Sequence, residues 1–569
     1  MMSEPLLSNP KPKGGFRALP FIVAISAFEK VASFGLLPNM ILYLTREYRM
    51  EAAKGANIIF FWSAATGFMP ILGAFLADSY VGRFPMIGFG SIATLLGTIL
   101  LWLTSIIPEA RPSSSSCIQL SDSCESATTL QLLLLYSSLG LMAIGAGGVR
   151  SSSLAFGADQ LRIDSQESDN NLNNARTLEK YFSWYYVIIS ISVVAAMTCL
   201  VYIQDVIGWT VGFGVPVVLM IMSSLSFLLA SPFYVKCRPQ ASLCTRFAQV
   251  FVAAFNKRSI PLSPQGTHQE YYYGRKSVML VAPSEKLRFL NKACIIRNPQ
   301  QDLMPEGKAS DPWNLCTVDQ VEELKALIRI IPLWSSGMIL SINLVQSSFP
   351  VLQASTMDRH ITSNFEIPAG SFGVFIFLSL VIWVSLYDRV IIPLGSKLRG
   401  KHIRLGLKKR LGIGILLSSL SMAAFAIVEK ARREKAIDQG FSDDPNAIVE
   451  ISALWLLPYH VLCGVGEAFN AIGQNEFYYT ELPRSMASIS STFLDMGMSI
   501  GNLLASFLMI STDNLSKREG EESWVSSNIN KGHYDYYYWL LASLSLLNFV
   551  YYLACSKVYG PCKGERDNA

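Results

Sequence analysis

Long apolar stretches separated by short polar segments run through almost the whole chain. Twelve of these stretches reach the roughly 20 predominantly apolar residues that an α-helix needs to cross a bilayer. They lie at about residues 20–44, 56–78, 86–107, 129–149, 184–203, 211–231, 324–349, 370–393, 409–430, 451–470, 487–511 and 536–556. The pattern therefore predicts an all-α membrane protein with twelve transmembrane helices.

One long polar interruption, residues 232–322, follows the sixth predicted helix and divides the twelve into six and six. Two six-helix halves are typical of secondary transporters, whose site lies between the halves. A channel, more often an oligomer of shorter chains, is a weaker alternative. The predicted regions are a cytoplasmic tail (1–19), an N-terminal six-helix bundle (20–231), a cytoplasmic linker (232–322), a C-terminal six-helix bundle (323–557) and a second cytoplasmic tail (558–569).

The composition excludes a series of compact water-soluble domains. Of the 569 residues, 51% are hydrophobic and 16% are charged, whereas an average soluble chain has about 25% charged residues. A formal net charge of +5 is too small to indicate binding to nucleic acid. The ten cysteines and five histidines form no cluster with zinc-ligand spacing, so we expect neither a metal nor another cofactor.

Basic residues predict the orientation in the membrane. They are concentrated in the linker and in the connection between the eighth and ninth predicted helices, so both segments and both termini are expected in the cytoplasm. Cys117 and Cys124 lie on the opposite side, in a serine-rich loop. An oxidising environment there would allow a disulfide between them. Two free thiols are the alternative.

An acid–base pair lies at the predicted cytoplasmic end of the second helix, where Asp78 is followed by Gly82 and Arg83. Such a pair can hold neighbouring helix ends together in one conformation and release them in another. The segment resembles the gate motif of the major facilitator superfamily. Asp388-Arg389, after the eighth helix, is a weaker echo of it. The resemblance implies a gating role for both pairs, with solvated surface pairs as the alternative.

Several longer segments are similar to the signature sequences of the proton-dependent oligopeptide transporter family. They are Gly145-Ala146-Gly147-Gly148-Val149-Arg150, Ala155-Phe156-Gly157-Ala158-Asp159-Gln160, Phe182-Ser183-Trp184-Tyr185-Tyr186 and Gln474-Asn475-Glu476-Phe477-Tyr478-Tyr479. The resemblance covers essentially residues 14–557, and its plant branch, the nitrate/peptide transporter family, fits best. Residues 28–33 and 290–294 resemble the subgroup usually described as low-affinity nitrate carriers. We therefore expect a transporter rather than an enzyme.

The first helix carries the residues that this resemblance associates with proton coupling. The family pattern Glu-x-x-Glu-Arg/Lys reads Ser26-Ala27-Phe28-Glu29-Lys30 here. Because an ionisable group inside a membrane is costly, we expect Glu29 to face the cavity and to pair with Lys30. Serine has no carboxyl group with which to carry a proton across the membrane, so coupling is weakened or depends on Glu29 alone. A helix-packing pair without a transport role is the alternative.

The tenth predicted helix contains a second intramembrane acid, Glu467, at a position where the resemblance implies a cavity-facing carboxylate in peptide-transporting members. His460 lies seven residues earlier, which is about two helical turns and so the same face. A titrating imidazole near Glu467 could supply the proton site that Ser26 lacks. A hydrogen-bonded packing histidine is the favoured alternative.

Neutral polar and aromatic residues complete the candidate cavity. The seventh helix contains Asn343 and Gln346, and by alignment Leu344 stands where some nitrate-carrying relatives have a histidine. Neutral hydrogen-bond donors together with one cation suit nitrate, and they also suit larger polar solutes. Tyr43 and Tyr185 could stack on a ring or sugar, although aromatic side chains at helical spacing more often face lipid or the helix core.

These features together predict a proton-coupled, low-affinity nitrate transporter that works by alternating access. The alternatives are transport of a larger organic solute (a peptide, a plant hormone or a glycosylated metabolite), passive movement or export because of Ser26, and a transporter-like nitrate sensor. The expected partners are a small-molecule or anion substrate, protons and membrane lipid, without nucleic acid. We expect a monomer or loose dimer in the plasma membrane, with the vacuolar membrane as the second choice.

Overall fold

The computed structural model of the protein describes residues 15–112, 127–164, 171–236, 243–260, 271–273, 282–305, 307–363, 365–399, 405–483, 486–517 and 522–562. The described chain is predominantly helical, as predicted. Its α-helices are α1 (Leu19–Leu42), α2 (Ala52–Leu76), α3 (Arg83–Ile106), α4 (Thr129–Asp164), α5 (Asn171–Ala195), α6 (Trp209–Leu229), α7 (Leu243–Asn256), α8 (Pro299–Asp302), α9 (Val318–Leu344), α10 (Ser348–Ser355), α11 (Val374–Leu386), α12 (Ile392–Arg399), α13 (Leu407–Asp438), α14 (Leu457–Glu481), α15 (Ala487–Ser516) and α16 (Tyr534–Tyr559).

Short elements extend or connect these helices. Four helices continue into π-helical turns, which are Tyr43–Glu47 after α1, Ala77–Val81 after α2, Ala196–Leu200 and Ile203–Ile207 after α5, and Tyr387–Ile391 after α11. The strands are β1 (Met357–Asp358), β2 (His360–Thr362), β3 (Phe365–Glu366) and β4 (Val449–Ser452), and β2 pairs with β3 in antiparallel orientation.

Eleven helices of the described chain are long and apolar enough to cross a membrane. They correspond to all of the twelve predicted spans except the tenth, whose segment forms the 25-residue helix α14. Its sequence contains His460, Glu467, Asn470, Gln474 and Glu476, and these polar side chains lower its hydropathy. A helix that carries such groups must place them against protein or water rather than lipid. The predicted boundaries of 451 and 470 therefore differ from the observed helix, mainly at its polar end.

The chain divides into two compact units. Unit 1 comprises residues 1–239 and 347–374, and unit 2 comprises residues 240–346 and 375–569. The predicted N-terminal bundle thus gains a segment from beyond the linker, Ser347–Val374. Within unit 1, this segment packs against α1 and against the π-helical turns that follow α5. The Ser371 hydroxyl donates to the carbonyl of Met197 (3.2 Å), and Arg359 forms ion pairs with Asp205 (3.4 Å) and Glu366 (2.6 Å).

Close helix packing in unit 1 depends on glycine. Helices α3 and α4 approach at Gly90, Gly145 and Gly148, where the α-carbon of Gly90 lies 2.8 Å from a Cβ built on Gly148. Small residues at such positions let two membrane helices approach closely without the hydrophobic driving force that water provides. The glycine-rich stretch singled out in the sequence is therefore the surface on which α4 contacts α3.

Unit 2 is organised around α9, α13, α14 and α16. Helix α9 begins at Val318, before the predicted 324, because Thr317 and Gln320 form a capping box that satisfies free backbone N–H groups at the helix start. Helix α13 continues to Asp438, beyond the predicted 430. The linker is partly folded, since α7 packs against the 3₁₀-helix Arg288–Cys294 and the start of α9 around a small apolar core.

A matched pair of glycine substitutions in α4 tests the packing. A Cβ at Gly145 would lie 2.1 Å from Thr94 Oγ1 and 2.4 Å from the Thr94 backbone nitrogen, whereas a Cβ at Gly140 would meet nothing within 4 Å. We expect Gly145→Ala to destabilise the protein by about 1–3 kcal/mol, as overpacking does. Gly140→Ala should be neutral or slightly stabilising. Thermal unfolding of the detergent-purified variants measures both, and equal melting temperatures would contradict this account of the α3–α4 contact.

Candidate functional site

An ion pair between a fully buried acid and a partly buried arginine joins α1 to α4 in unit 1. Glu29, near the middle of α1, has a side chain that is 1% exposed. Arg150 of α4 donates to it in a bidentate arrangement, with Nε 3.0 Å from Oε2 and Nη2 2.8 Å from Oε1. The Ser33 hydroxyl also donates to Oε1, at 2.7 Å. Two charges removed from water are tolerated only with such close geometry, because desolvation opposes the attraction between them.

The hydrogen-bonded cation of Glu29 is Arg150, whereas the sequence predicted Lys30. Lys30 follows Glu29 directly, and consecutive residues on a helix point about 100° apart, so their side chains do not face each other. The Lys30 ammonium lies over the ring of Phe34, with Nζ 5.1 Å from the ring centroid. Arg150 ends the signature segment Gly145-Ala146-Gly147-Gly148-Val149-Arg150, from which no role was predicted for it. A cation inside an otherwise apolar span requires an acidic partner, and that signal could have identified it.

Ser26 and Tyr185 lie at the edge of the same cluster. Ser26 is buried, and its hydroxyl donates to the carbonyl of Ile22, 3.2 Å away and one turn earlier in α1. The Tyr185 hydroxyl of α5 is a neighbour of Ser26, Glu29 and Arg150. The structure therefore brings together Ser26, Glu29 and Tyr185 from the predicted site and adds Arg150 and Ser33.

The gate motif forms a three-residue bridge in unit 1. Gly82 has a φ of +88°, a conformation that favours glycine, and it places Arg83 at the first position of α3. Arg83 contacts Asp78 at 3.2 Å and Asp159 of α4 at 2.7 Å. The pair predicted from sequence is present, and Asp159 adds a second carboxylate from the end of α4. Since Arg83 is about one-third exposed, water screens the attraction in this bridge more than in the Glu29–Arg150 pair.

The echo of the gate motif lies in unit 2. Asp388 and Arg389 fall in the π-helical turn Tyr387–Ile391. Arg389 is exposed, and the side chain of Asp388 lies outside the described part of the structure. Cys117 and Cys124, the predicted disulfide, also lie outside the described residues.

Glu467 and His460 are both buried in unit 2. The Oε2 atom of Glu467 is buried and makes no hydrogen bond to any residue that the structure describes. His460 is 1% exposed, with Nδ1 2.8 Å from the carbonyl of Leu456. Its ring packs edge-on against Tyr459, which stacks on Phe425 with the ring centroids 4.4 Å apart. These contacts favour the packing alternative for His460 and leave Glu467 as the acid with unused hydrogen-bonding capacity.

The two amides of the seventh span are buried and hydrogen-bonded within unit 2. Asn343 donates to the Ser418 hydroxyl at 2.9 Å. Gln346 donates to the carbonyl of Ile342 at 2.9 Å and accepts a 3.4 Å hydrogen bond from the Tyr537 hydroxyl. Each primary amide has two N–H groups, so these bonds engage only half of the donor capacity of each side chain.

Tyr43 belongs to an aromatic cluster of unit 1. It has no exposed surface, and its hydroxyl lies 2.7 Å from Thr104 Oγ1. Its ring contacts Tyr48, Trp209 and Phe213, with centroid distances of 5.6, 5.0 and 4.8 Å. These contacts account for the burial of Tyr43 and favour a packing role for it over a role in substrate binding.

Comparisons with known proteins agree with this architecture. The sequence model of the POT family matches residues 84–525. The chain is 52% identical over 554 residues to the Arabidopsis thaliana protein named NRT1/PTR FAMILY 1.2, covering 97% of this chain and 90% of that protein. It is 51% identical to NRT1/PTR FAMILY 1.1 of the same plant, covering 98% and 93% of the two chains.

Solved structures show the same fold at low sequence identity. An auto-inhibited POT family peptide transporter aligns with a TM-score of 0.68 at 18% identity, over 96% of this chain and 98% of that one. A POT family transporter in complex with 5-aminolevulinic acid aligns with a TM-score of 0.61 at 13% identity, over 97% and 99%. The predicted all-α membrane fold is thereby confirmed as the fold of the solved POT family transporters.

A set of charge-removing variants tests which cation holds Glu29. Removing one partner of a buried ion pair leaves an uncompensated charge, so Arg150→Gln should destabilise the protein by about 3–5 kcal/mol. The double variant Glu29→Gln with Arg150→Gln should recover much of that loss. Lys30→Gln is the matched control and should have a small effect. Thermal unfolding reports all three, and a loss in Lys30→Gln equal to that in Arg150→Gln would contradict the pairing.

Proposed function

Because the chain belongs to the POT family of membrane transporters, we propose that it is a proton-coupled, low-affinity nitrate transporter that works by alternating access. Its family and fold are those of transporters and not of enzymes. The proposal rests on one observation, the buried pair of Glu29 and Arg150, which can serve both the proton and the anion.

Protonation of Glu29 is the proposed coupling step. A proton on the carboxyl group neutralises it and removes the charge attraction to Arg150. The guanidinium then needs another anion, because an unpaired charge away from water is strongly unfavourable. A proton and an anion are therefore favoured together, and loss of the proton restores the ion pair and displaces the anion. Since Ser26 replaces the first acid of the family pattern, Glu29 alone carries this step in our proposal.

Nitrate suits the groups available. The guanidinium of Arg150 is planar and presents parallel N–H donors that match a planar oxyanion. Within unit 1, Tyr185 neighbours Glu29 and Arg150, and we assign its hydroxyl to the proposed anion site as a neutral donor. Within unit 2, Asn343 and Gln346 each have one amide hydrogen beyond those in the described bonds, and a neutral donor of this kind also suits nitrate. The plasma membrane is the proposed location, with the vacuolar membrane as the second choice.

Nitrate uptake with and without the Glu29 carboxylate tests this function. In cells expressing the protein, labelled nitrate uptake and inward current should both rise when the external medium is acidified. Glu29→Gln should abolish accumulation driven by pH and leave nitrate exchange, because the glutamine side chain mimics a permanently protonated acid. Glu51→Gln is the control, since Glu51 is exposed and forms an ion pair with Lys54 one turn later (3.2 Å).

Three results would change the assignment. Undiminished pH-driven accumulation in Glu29→Gln would remove Glu29 from the coupling role. Uptake that does not respond to pH in the unmodified protein would indicate a passive carrier. Absence of nitrate uptake, with the protein shown at the cell surface, would exclude nitrate as the substrate.

Glu467 supports a second candidate, transport of an organic solute that carries an amino group. Its buried Oε2 atom has no described hydrogen-bond partner, and an ammonium group would supply one. A peptide or another amino-acid-like molecule has such a group, whereas nitrate has none. Transport of an amine-bearing solute therefore requires the Glu467 carboxylate, whereas transport of nitrate does not.

Substitution of Glu467 separates the two candidates. If an amine-bearing solute is transported, Glu467→Gln should reduce uptake of labelled dialanine by about tenfold or more, because a hydrogen bond to a charged group is lost. Nitrate uptake should remain unchanged in the same variant. Glu450→Gln, at an exposed position of β4, is the control. No dialanine uptake by the unmodified protein, or equal uptake by Glu467→Gln, would exclude this candidate.

A further inference from the structure

Unit 2 contains a cavity between the C-terminal end of α13 and the segment that precedes α16. Its volume is about 530 Å³, within the range of small-molecule pockets. The predicted orientation places it on the non-cytoplasmic side. Its lining combines cationic, aromatic and polar side chains, namely Arg433, Ile437, Ser442, Glu522, Trp524, Asn530, Lys531, His533 and Tyr536.

The frame around this cavity is held rigidly by a second buried ion pair. Glu429 and Arg432, one turn apart on α13, have no exposed side-chain surface and are 2.7 Å apart. Arg432 also donates to the side-chain oxygen of Asn530 (2.7 Å) and to the carbonyl of Ile529 (3.0 Å). Asn530 in turn donates to the carbonyls of Phe441 and Asp444, both at 2.9 Å. These bonds fix both loops that border the cavity to α13.

Arg433 supplies the cation of the cavity. It follows Arg432 on α13, and its Nη2 atom lies 3.2 Å from Nε2 of His533. Its Nε atom is buried and has no hydrogen-bond partner among the described residues. A buried N–H group of a guanidinium is costly without an acceptor, so this geometry favours an incoming anion that accepts from it.

The other charged groups of the cavity are already engaged. Lys531 forms an ion pair with Asp443 at 2.8 Å, and this hydrogen bond and charge attraction lower the pKa of the Asp443 carboxyl. His533 Nδ1 lies 3.6 Å from Asp535. Glu522 accepts a hydrogen bond from the Ser526 hydroxyl. Among the described lining residues Glu522 is the one carboxylate, and it would disfavour a ligand with several negative charges.

The aromatic rings of His533, Tyr536 and Trp524 line the cavity beside Arg433. The rings of His533 and Tyr536 are stacked, with an interplanar angle of 6° and centroids 4.5 Å apart. Trp524 meets Tyr536 edge-on at 5.5 Å. Rings arranged in this way favour a flat, unsaturated ligand, because stacked and edge-on aromatic contacts contribute beyond the area that they bury.

We propose that this cavity is a binding site for a small aromatic monocarboxylate, with the carboxylate on Arg433 and the ring against Trp524 and Tyr536. The site lies within unit 2 and uses neither the Glu29–Arg150 pair nor Glu467. It would therefore bind its ligand whatever the transported substrate is.

Binding of labelled benzoate to the purified full-length protein, measured by equilibrium dialysis, tests the proposal. We expect saturable binding that is weakened about tenfold or more by Arg433→Gln, because a charge-assisted hydrogen bond is lost. Lys430→Gln is the matched control, since Lys430 lies one turn earlier on α13 with a side chain that is 65% exposed. Benzoate should also compete better than cyclohexanecarboxylate, which has the same carboxylate and no aromatic face.

Chemical protection gives a second test that does not depend on how the variants fold. Phenylglyoxal modifies accessible arginine side chains, and benzoate should slow the modification of Arg433 in the unmodified protein, as followed by mass spectrometry. Failure of benzoate to bind saturably at millimolar concentration would overturn the proposal. So would unchanged binding in Arg433→Gln, or modification of Arg433 at the same rate with and without benzoate.

Discussion

The bidentate ion pair between Glu29 and Arg150 is the interaction on which the functional interpretation of unit 1 depends. It joins α1 to α4, with Glu29 completely buried and the Arg150 side chain 19% exposed. Two structural features accompany this ion pair. The glycines of α4 bring that helix against α3, and Ser33 satisfies a further lone pair of the carboxylate. A proton is the smallest ligand that can change such a pair, since it removes the charge without requiring space.

Much of this arrangement could be predicted from the sequence, and the limits have physical reasons. The apolar stretches predicted the membrane helices because a bilayer imposes a length and a composition on each of them. Glu29 was recognisable because an acid within an apolar span is rare. Its partner was not, because Arg150 lies 121 residues further along the chain and only the fold brings the two together. The start of α9 was missed for another reason, since Thr317 and Gln320 carried a capping signal that a count of apolar residues overlooks.

The two units differ in how completely the polar groups of their buried acids are satisfied. In unit 1, both carboxylate oxygens of Glu29 accept hydrogen bonds, whereas in unit 2 the Oε2 atom of Glu467 has no described partner. Fold and family are common to transporters that handle different solutes, so they do not select among solutes by themselves. Selection depends on a few such side chains. The replacement of an acid by Ser26, next to an intact Glu29, is the kind of local difference that changes coupling without changing the architecture.

The segment Ser347–Val374 has a consequence for how the protein is made. It belongs to unit 1, although the ribosome synthesises it only after the linker and α9. The N-terminal bundle therefore reaches its complete set of contacts late, when Arg359 can meet Asp205 and Ser371 can meet Met197. After α9 the chain leaves unit 2, passes through unit 1 as Ser347–Val374 and then returns to unit 2. A cut in the linker therefore does not separate the chain into two complete units. The order of synthesis and the order of assembly differ in this chain.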